Sequence, residues 1–242
     1  MPTAMTIKHM TSETLSNDYS AVRDGGAGLL DLSSRGRILV SGSEAVTFLN
    51  GLITNDMKTL APSSWMMAAF PNVRGRLLAV VRIVHGEDGF LIDTEAVTHQ
   101  KLVQLLDRFT LAGDFRVADL TNQISCLSIQ GKSAATVVSK LLDSPLNISG
   151  KQACKVEIKQ FDMTIIRATH TGEDGFDLFA DVSMAGALRQ ELINAGAETV
   201  SETTAEILRI EAGIASYGVD MDESTIVTET NLDDAVSFTK GC

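Results

Sequence analysis

The stretch CLSIQGKSAATVVSKLL, residues 126–142, changes its period midway. Cys126 to Ile129 alternate as a strand does, Gly131 makes a turn, and Ala134, Val137, Val138 and Leu141 then recur at the spacing of a buried helix face. RILVSGSEAVTFLNGLI, residues 37–53, reads the same way. A strand at Arg37 to Val40 meets a glycine turn, Ser43 offers an N-cap, and Ala45, Phe48, Leu49 and Leu52 share one helical face. The pentapeptide GEDGF occurs at Gly86 to Phe90 and again at Gly172 to Phe176, each time between strand-like runs and just before a helix. Gly42 precedes Gly131 by 89 residues and Gly86 precedes Gly172 by 86, so the chain reads as a duplication of one β-α-β-β-(GEDGF)-β-α unit.

In the first unit the closing helix is expected over Glu95 to Phe109, with Leu102, Leu105, Leu106 and Phe109 facing inward. In the second, Ser183 caps a helix that runs through Leu188 and Leu192. A last helix is expected from Glu202 to Ala212 behind Ser201. Ala205, Leu208 and Ala212 form one of its faces and Ile207, Ile210 and Ile214 another, which predicts a helix covered on both sides. Arg209 falls beside the first face and needs an acceptor, since an unpaired buried guanidinium costs several kcal/mol. Strands joined by hairpins rather than only by crossovers predict an α+β fold with mainly antiparallel sheets. No GxGxxG or P-loop string points to a nucleotide fold. Residues 1–20 are weakly patterned, and the fold is expected to start near Gly28.

Composition narrows the function classes. With 44% hydrophobic and 21% charged residues in 242, the chain can bury a core without staples. Apolar runs such as Leu77 to Val81 are far below the roughly 18 residues of a transmembrane helix, so no membrane partner is expected. No targeting segment is visible in the first twenty residues, which predicts a cytoplasmic location. A formal net charge of -11 repels phosphate backbones, so no nucleic-acid partner is expected. Cys126, Cys154 and Cys242 show no metal spacing, and no metal is expected. Cys126 and Cys154 read as small buried hydrophobes; Cys242 stands apart.

Asp-Gly between alternating strands is a hairpin signal, which accounts for both GEDGF copies. Glu173 adds a carboxylate able to accept the paired N–H groups of a pterin ring. Three segments, AVRDGGAGLLDLSSRGRILVSGSEAVTFLNGLITND, THTGEDGFDLF and LRIEAGIASYGVDMD, resemble the opening, folate-turn and helix motifs of the glycine-cleavage T-protein, in that family's order. FPNVRGRLLA and the ending TETNLDDAVSFTKGC resemble the corresponding motifs of YgfZ-type relatives, the ending matching the start of KGCYxGQ.

The resemblance implies a T-protein-like fold of two related ferredoxin-like layers around a tetrahydrofolate site, with the family's C-terminal β-barrel domain absent from this chain. It implies an N-terminal extension (1–27), a discontinuous first domain (28–52 plus 122–242) and a second domain (53–121). The duplication by itself places the join near residue 122. Glu173 and Arg209 fall at positions that contact the folate in the family, and Asn55 is expected to line the same cavity. The family's catalytic Asp lies in a GGILDDLIV-like strand. Here the string reads GRLLAVVRI, with Ala79 and Val80 where the two acids would be.

That departure favours a folate-binding YgfZ-like factor in iron–sulfur cluster assembly or repair, with iron–sulfur client proteins as partners. Cys242 would be its working thiol, made more acidic by Lys240. The alternative is an aminomethyltransferase delivering a one-carbon unit from a lipoyl carrier to tetrahydrofolate, with Asp93 or Asp56 replacing the absent acid. A third reading is a folate-independent scaffold.

Overall fold

The computed structural model describes residues 12–109 and 113–240. A helix, α1 (Ser12–Arg23), precedes two sheets. The first unit runs β1 (Gly28–Asp31), β2 (Gly36–Ser41), α2 (Ala45–Leu52), β3 (Ser64–Pro71), β4 (Leu77–Gly86), β5 (Gly89–Thr94) and α3 (Ala96–Asp107). The second runs β6 (Arg116–Asp119), β7 (Ile124–Gln130), α4 (Ala134–Leu141), β8 (Ala153–Ile158), β9 (Phe161–Arg167), β10 (Gly175–Asp181), α5 (Ala185–Asn194) and β11 (Glu198–Thr199). Helix α6 (Glu202–Glu211) follows, and residues 213–240 return across the second sheet with only two short 3-10 turns.

The six-stranded sheet has the order β11-β1-β7-β10-β9-β8 and the five-stranded sheet β3-β4-β5-β2-β6. All pairings are antiparallel except β1 with β11, as the α+β reading predicts. The duplication is visible in the shared strand order, β3-β4-β5-β2 matching β8-β9-β10-β7. Each unit lends its leading strand to the other. β1 pairs with β7 although it runs straight into β2, and β6 pairs with β2 although it runs straight into β7. β2 lies in the five-stranded sheet and α2 packs on it, whereas the sequence reading grouped residues 28–52 with 122–242. Exchanged leading strands put the sheet boundary inside the short turn between β1 and β2.

Helices α4 and α5 cover the outer face of the first sheet through Val138, Leu141, Leu188 and Leu192, and α2 and α3 cover the second through Leu49, Leu102 and Leu106. Ser43 is not the cap of α2. Its hydroxyl bonds Asp114, and Glu44 occupies the cap position without a side-chain capping bond, its carboxylate accepting instead from the Asp114 N–H. Ser183 sits one short 3-10 turn before α5, while Ser201 caps α6 as expected, accepting from the Thr204 N–H. Helix α3 stops at Asp107, and Phe109 is exposed rather than inward. α6 buries Leu208 and leaves Ile207 and Ile210 exposed, so it is covered on one side only. No helix among the described residues is long and apolar enough to cross a membrane.

The inner faces of the two sheets meet through Trp65, Val84, Cys126, Ile166 and Phe179, and through buried charge. Arg82 on β4 donates to Asp93 on the neighbouring β5 (Nε–Oδ2 2.9 Å) and to Asp177 on β10 of the opposite sheet. Asp93 and Asp177 have no exposed side-chain surface. Arg35 and Arg37 add two further cations around Asp93, at 3.0 and 3.3 Å. Burial alone would raise the Asp93 pKa, but the surrounding guanidinium groups of Arg35, Arg82 and Arg37 hold it down at about 2.

Removing one partner of a buried pair leaves an uncompensated charge, so Arg82→Met should destabilise the chain by about 3–5 kcal/mol in urea unfolding. A loss below about 1 kcal/mol would mean that the sheets meet without this bridge. In the unfolded chain an aspartate titrates near roughly 3.9, so the stability that Asp93 contributes is complete above about pH 4 and is lost as pH falls toward 2. In Asp93→Asn that acid-side decline in the urea midpoint should be shallower than in the unaltered chain.

Candidate active site

The two GEDGF copies share a sequence and differ in structure. In the first, Gly86 pairs with Gly89 across a two-residue β-turn, and Gly89 takes a φ of 133° that favours glycine. In the second, residues 168–174 form an open loop and the strand resumes only at Gly175. The hairpin reading thus holds for one copy.

Gln130, at the end of β7 and fully buried, is the cause of the difference. Its amide donates to the Ala168 carbonyl (2.9 Å) and to Ser128 Oγ (2.9 Å), and its oxygen accepts from the His170 N–H (2.9 Å) and Thr171 Oγ1 (3.3 Å). A Cβ on Gly175 would stand 2.0 Å from the Gln130 amide nitrogen, so this position requires glycine for the close approach.

The held-open loop forms one wall of a cavity of about 550 Å³ between the sheets. Val80 and Arg82 of β4, Trp65 and Met67 of β3, and the returning segment at Gly213–Ala215, Tyr217 and Met221 line it further, with Arg35, Glu95 and residues 230–234. Residues 80, 82 and 84 point inward whereas 79, 81 and 83 join the helix-covered core. Of the two positions where the sequence lacks acids, Val80 therefore borders the cavity and Ala79 does not. Asp93 cannot stand in as a base, being enclosed by three arginines and ionised down to about pH 2. Asp56 does not line this cavity either; it caps the short turn at Met57–Thr59 and borders a different pocket. Burial pushes the Cys126 thiol up to about 12, and the neighbouring Asp177 carboxylate adds to this, so Cys126 is inert. Cys154 is half-buried rather than fully buried.

The expected folate contacts do not converge on this cavity. Glu173 borders an adjoining pocket of about 420 Å³ and pairs with Arg23 at 3.1 Å. Arg209 borders neither pocket. Its guanidinium is taken by Glu206 (2.8 Å), Asp220 (2.6 Å) and the Ile214 carbonyl, so it steadies the Gly213–Ala215 wall from behind. The acceptor that its burial demands is thus Glu206, while Glu211 pairs with Arg23. Asn55 stands beside the cavity rather than in its lining, its carboxamide donating to the carbonyls of Met67 (2.8 Å) and Asp234 (3.0 Å). Lys240 donates to the carbonyls of Asn50, Ile53 (2.5 Å) and Asn55 (3.1 Å), which caps the end of α2. Cys242 lies outside the described residues.

Two groups were not picked out in the sequence. Arg23, at the end of α1, joins Glu173, the Thr171 carbonyl (2.8 Å) and the Leu208 carbonyl (3.4 Å) of α6. Its signal was absent because α1 lies in the weakly patterned stretch assigned to an extension. His170 borders the cavity, with Nε2 at 3.0 and 3.1 Å from the two Asp177 oxygens. A His and an Asp seven residues apart on either side of a turn was the available clue.

The GCVT N-terminal domain family matches residues 2–240. The chain belongs to that family. Similar relatives are aminomethyltransferases from Thermoanaerobacter sp. (27% identical, 95% of this chain and 64% of the relative) and Deinococcus deserti (32%, 84% and 57%). A crystal structure of the glycine cleavage system aminomethyltransferase T from Bartonella henselae is similar with a TM-score of 0.78 at 27% identity, over 87% of this chain and 57% of that one. The chain spans about three-fifths of the length of these relatives. A heterotetrameric sarcosine oxidase from Corynebacterium sp. shares the fold at 18% identity and a TM-score of 0.52.

Within this GCVT domain, Gly175→Ala should displace the Gln130 amide, release the 168–171 loop and cost about 1–3 kcal/mol, the usual range for overpacking. Hydrogen exchange should rise first at the amides of His170 and Gly172. Unchanged protection there would show that Gln130 does not hold the loop.

Proposed function

We propose that this chain binds tetrahydrofolate, or a close derivative, in the inter-sheet cavity and takes part in aminomethyl transfer. The observation that carries the reading is the cavity itself, in a chain whose relatives are named aminomethyltransferases. Its volume of about 550 Å³ falls within the roughly 300–1,000 Å³ of small-molecule sites, which are mostly apolar with a few placed polar groups. Met67, Val80, Tyr217 and Met221 supply apolar walls, and Glu95, His170 and Asp234 supply polar atoms. Trp65 adds an aromatic wall. Glu173 would join the site from the adjoining pocket once Arg23 releases it. Arg209 and Asn55 act on the walls, the first through Ile214 and the second by tying the returning segment to β3. A bound folate would supply the nitrogen that accepts the one-carbon unit.

One observation favours a second reading. Val80 stands where the family's acid would border the cavity. A folate-binding factor without transfer, serving iron–sulfur enzymes through Cys242 of the KGC ending, needs no acid there. In that case Lys240 serves to bind the carbonyls at the end of α2.

Titration calorimetry should give one tetrahydrofolate per chain, and Ala215→Trp, which fills the cavity, should abolish the binding. Turnover of an aminomethyl-loaded lipoyl carrier then separates the readings. Binding without turnover transfers the assignment to the second, and no binding by the unaltered chain removes both.

A further inference from the structure

The proposed reaction needs a group that takes a proton from the reacting amine, and β4 offers only Val80. The same cavity contains an unassigned pair. His170 Nε2 lies 3.1 Å from Asp177 Oδ1 and 3.0 Å from Oδ2, on a loop that Gln130 holds through the His170 N–H. Asp177 is fully buried and kept ionised; burial opposes that state, while the Arg82 guanidinium and hydrogen bonds from His170 and Ser128 favour it. An ionised carboxylate only accepts, so a ring nitrogen in contact with both of its oxygens carries the proton.

Arg82 Nη1, 3.2 Å from the same Nε2, cannot reverse this. A guanidinium only donates, and a bare Nε2 would gain that one bond while facing two carboxylate oxygens with no proton between. Nε2 is therefore the N–H nitrogen. Nδ1 has no protein partner among the described residues and is not among the buried polar atoms that lack one, so it keeps accessible surface on a residue that borders the cavity. The groups facing the ring are Asp177 from β10 and Arg82 from β4, with Asp93 behind Arg82. Arg35, Glu95, Asp233 and Asp234 border the same cavity.

We propose that His170, oriented by Asp177, is the proton acceptor of this cavity. The inference rests on the folate reading for its substrate and on the His170–Asp177 geometry for its mechanism. Nδ1 takes the proton of a ligand amine N–H. That N–H bond breaks with its electron pair left on the amine nitrogen, an Nδ1–H bond forms, and the resulting imidazolium is balanced by Asp177. An imidazole so placed takes over the role of the acid absent at position 80.

Two measurements on the full chain test this. In ¹⁵N NMR of the unliganded protein above pH 8, His170 should be the Nε2–H tautomer. An Nδ1–H tautomer overturns the proposal whatever the ligand is. In the aminomethyl-transfer assay, His170→Gln should lower kcat by about 10²–10⁴-fold. Equal kcat overturns the proposal. If the unaltered chain binds tetrahydrofolate but does not turn over, the proton-acceptor role falls with the transferase reading. If it binds no tetrahydrofolate and shows the Nε2–H tautomer, the folate reading falls while the geometry of the pair is upheld.

Discussion

The architecture depends on one guanidinium shared between two sheets. Arg82 ties Asp93 in its own sheet to Asp177 in the other, in an interface where most neighbours are apolar. Neither aspartate could remain charged there alone, since desolvation of an ion costs several kcal/mol unless it is paired. The bridge also fixes where the sheets separate, because the charged side chains fill one part of the interface and the cavity begins at their edge. Arg82 itself borders that cavity, so the element that joins the halves is also a wall of the site.

A second constraint acts along the chain. Each half lends its leading strand to the other, so neither sheet is complete without the partner half. A duplicated sequence is readable from its strand and helix periods, and here the repeat, the antiparallel pairing and the helix faces were legible from 126–142 and 37–53. The exchange was not legible, because β1 and β6 are four-residue strands and nothing in a short apolar string names its partner. The same limit applies to GEDGF. Five identical residues become a tight turn over one environment and an open loop over Gln130, whose contacts reach across 38 and 40 residues of chain.

The site was legible in outline and less so in detail. The T-protein part of the resemblance led to the right family and to a loop, 168–174, that does border the inter-sheet space. It named Glu173 and Arg209 as ligand contacts. In this fold Arg23 occupies the first and two carboxylates occupy the second. Arg23 could not be anticipated, because a single arginine at the end of a polar helix has no period to betray its destination. His170 lay in full view within THTGEDGF, and its meaning emerged only when a carboxylate of the following strand was found against its ring.

The central claim is that the space between Val80 and the 168–171 loop is a folate site. A crystal structure of the chain with tetrahydrofolate tests it most directly. The account predicts the heterocycle inside that space, within hydrogen-bonding distance of His170 and against the Gly213–Ala215 wall. A ligand held only in the adjoining pocket beside Glu173, or a cavity that stays free of tetrahydrofolate at saturating concentration, would contradict it.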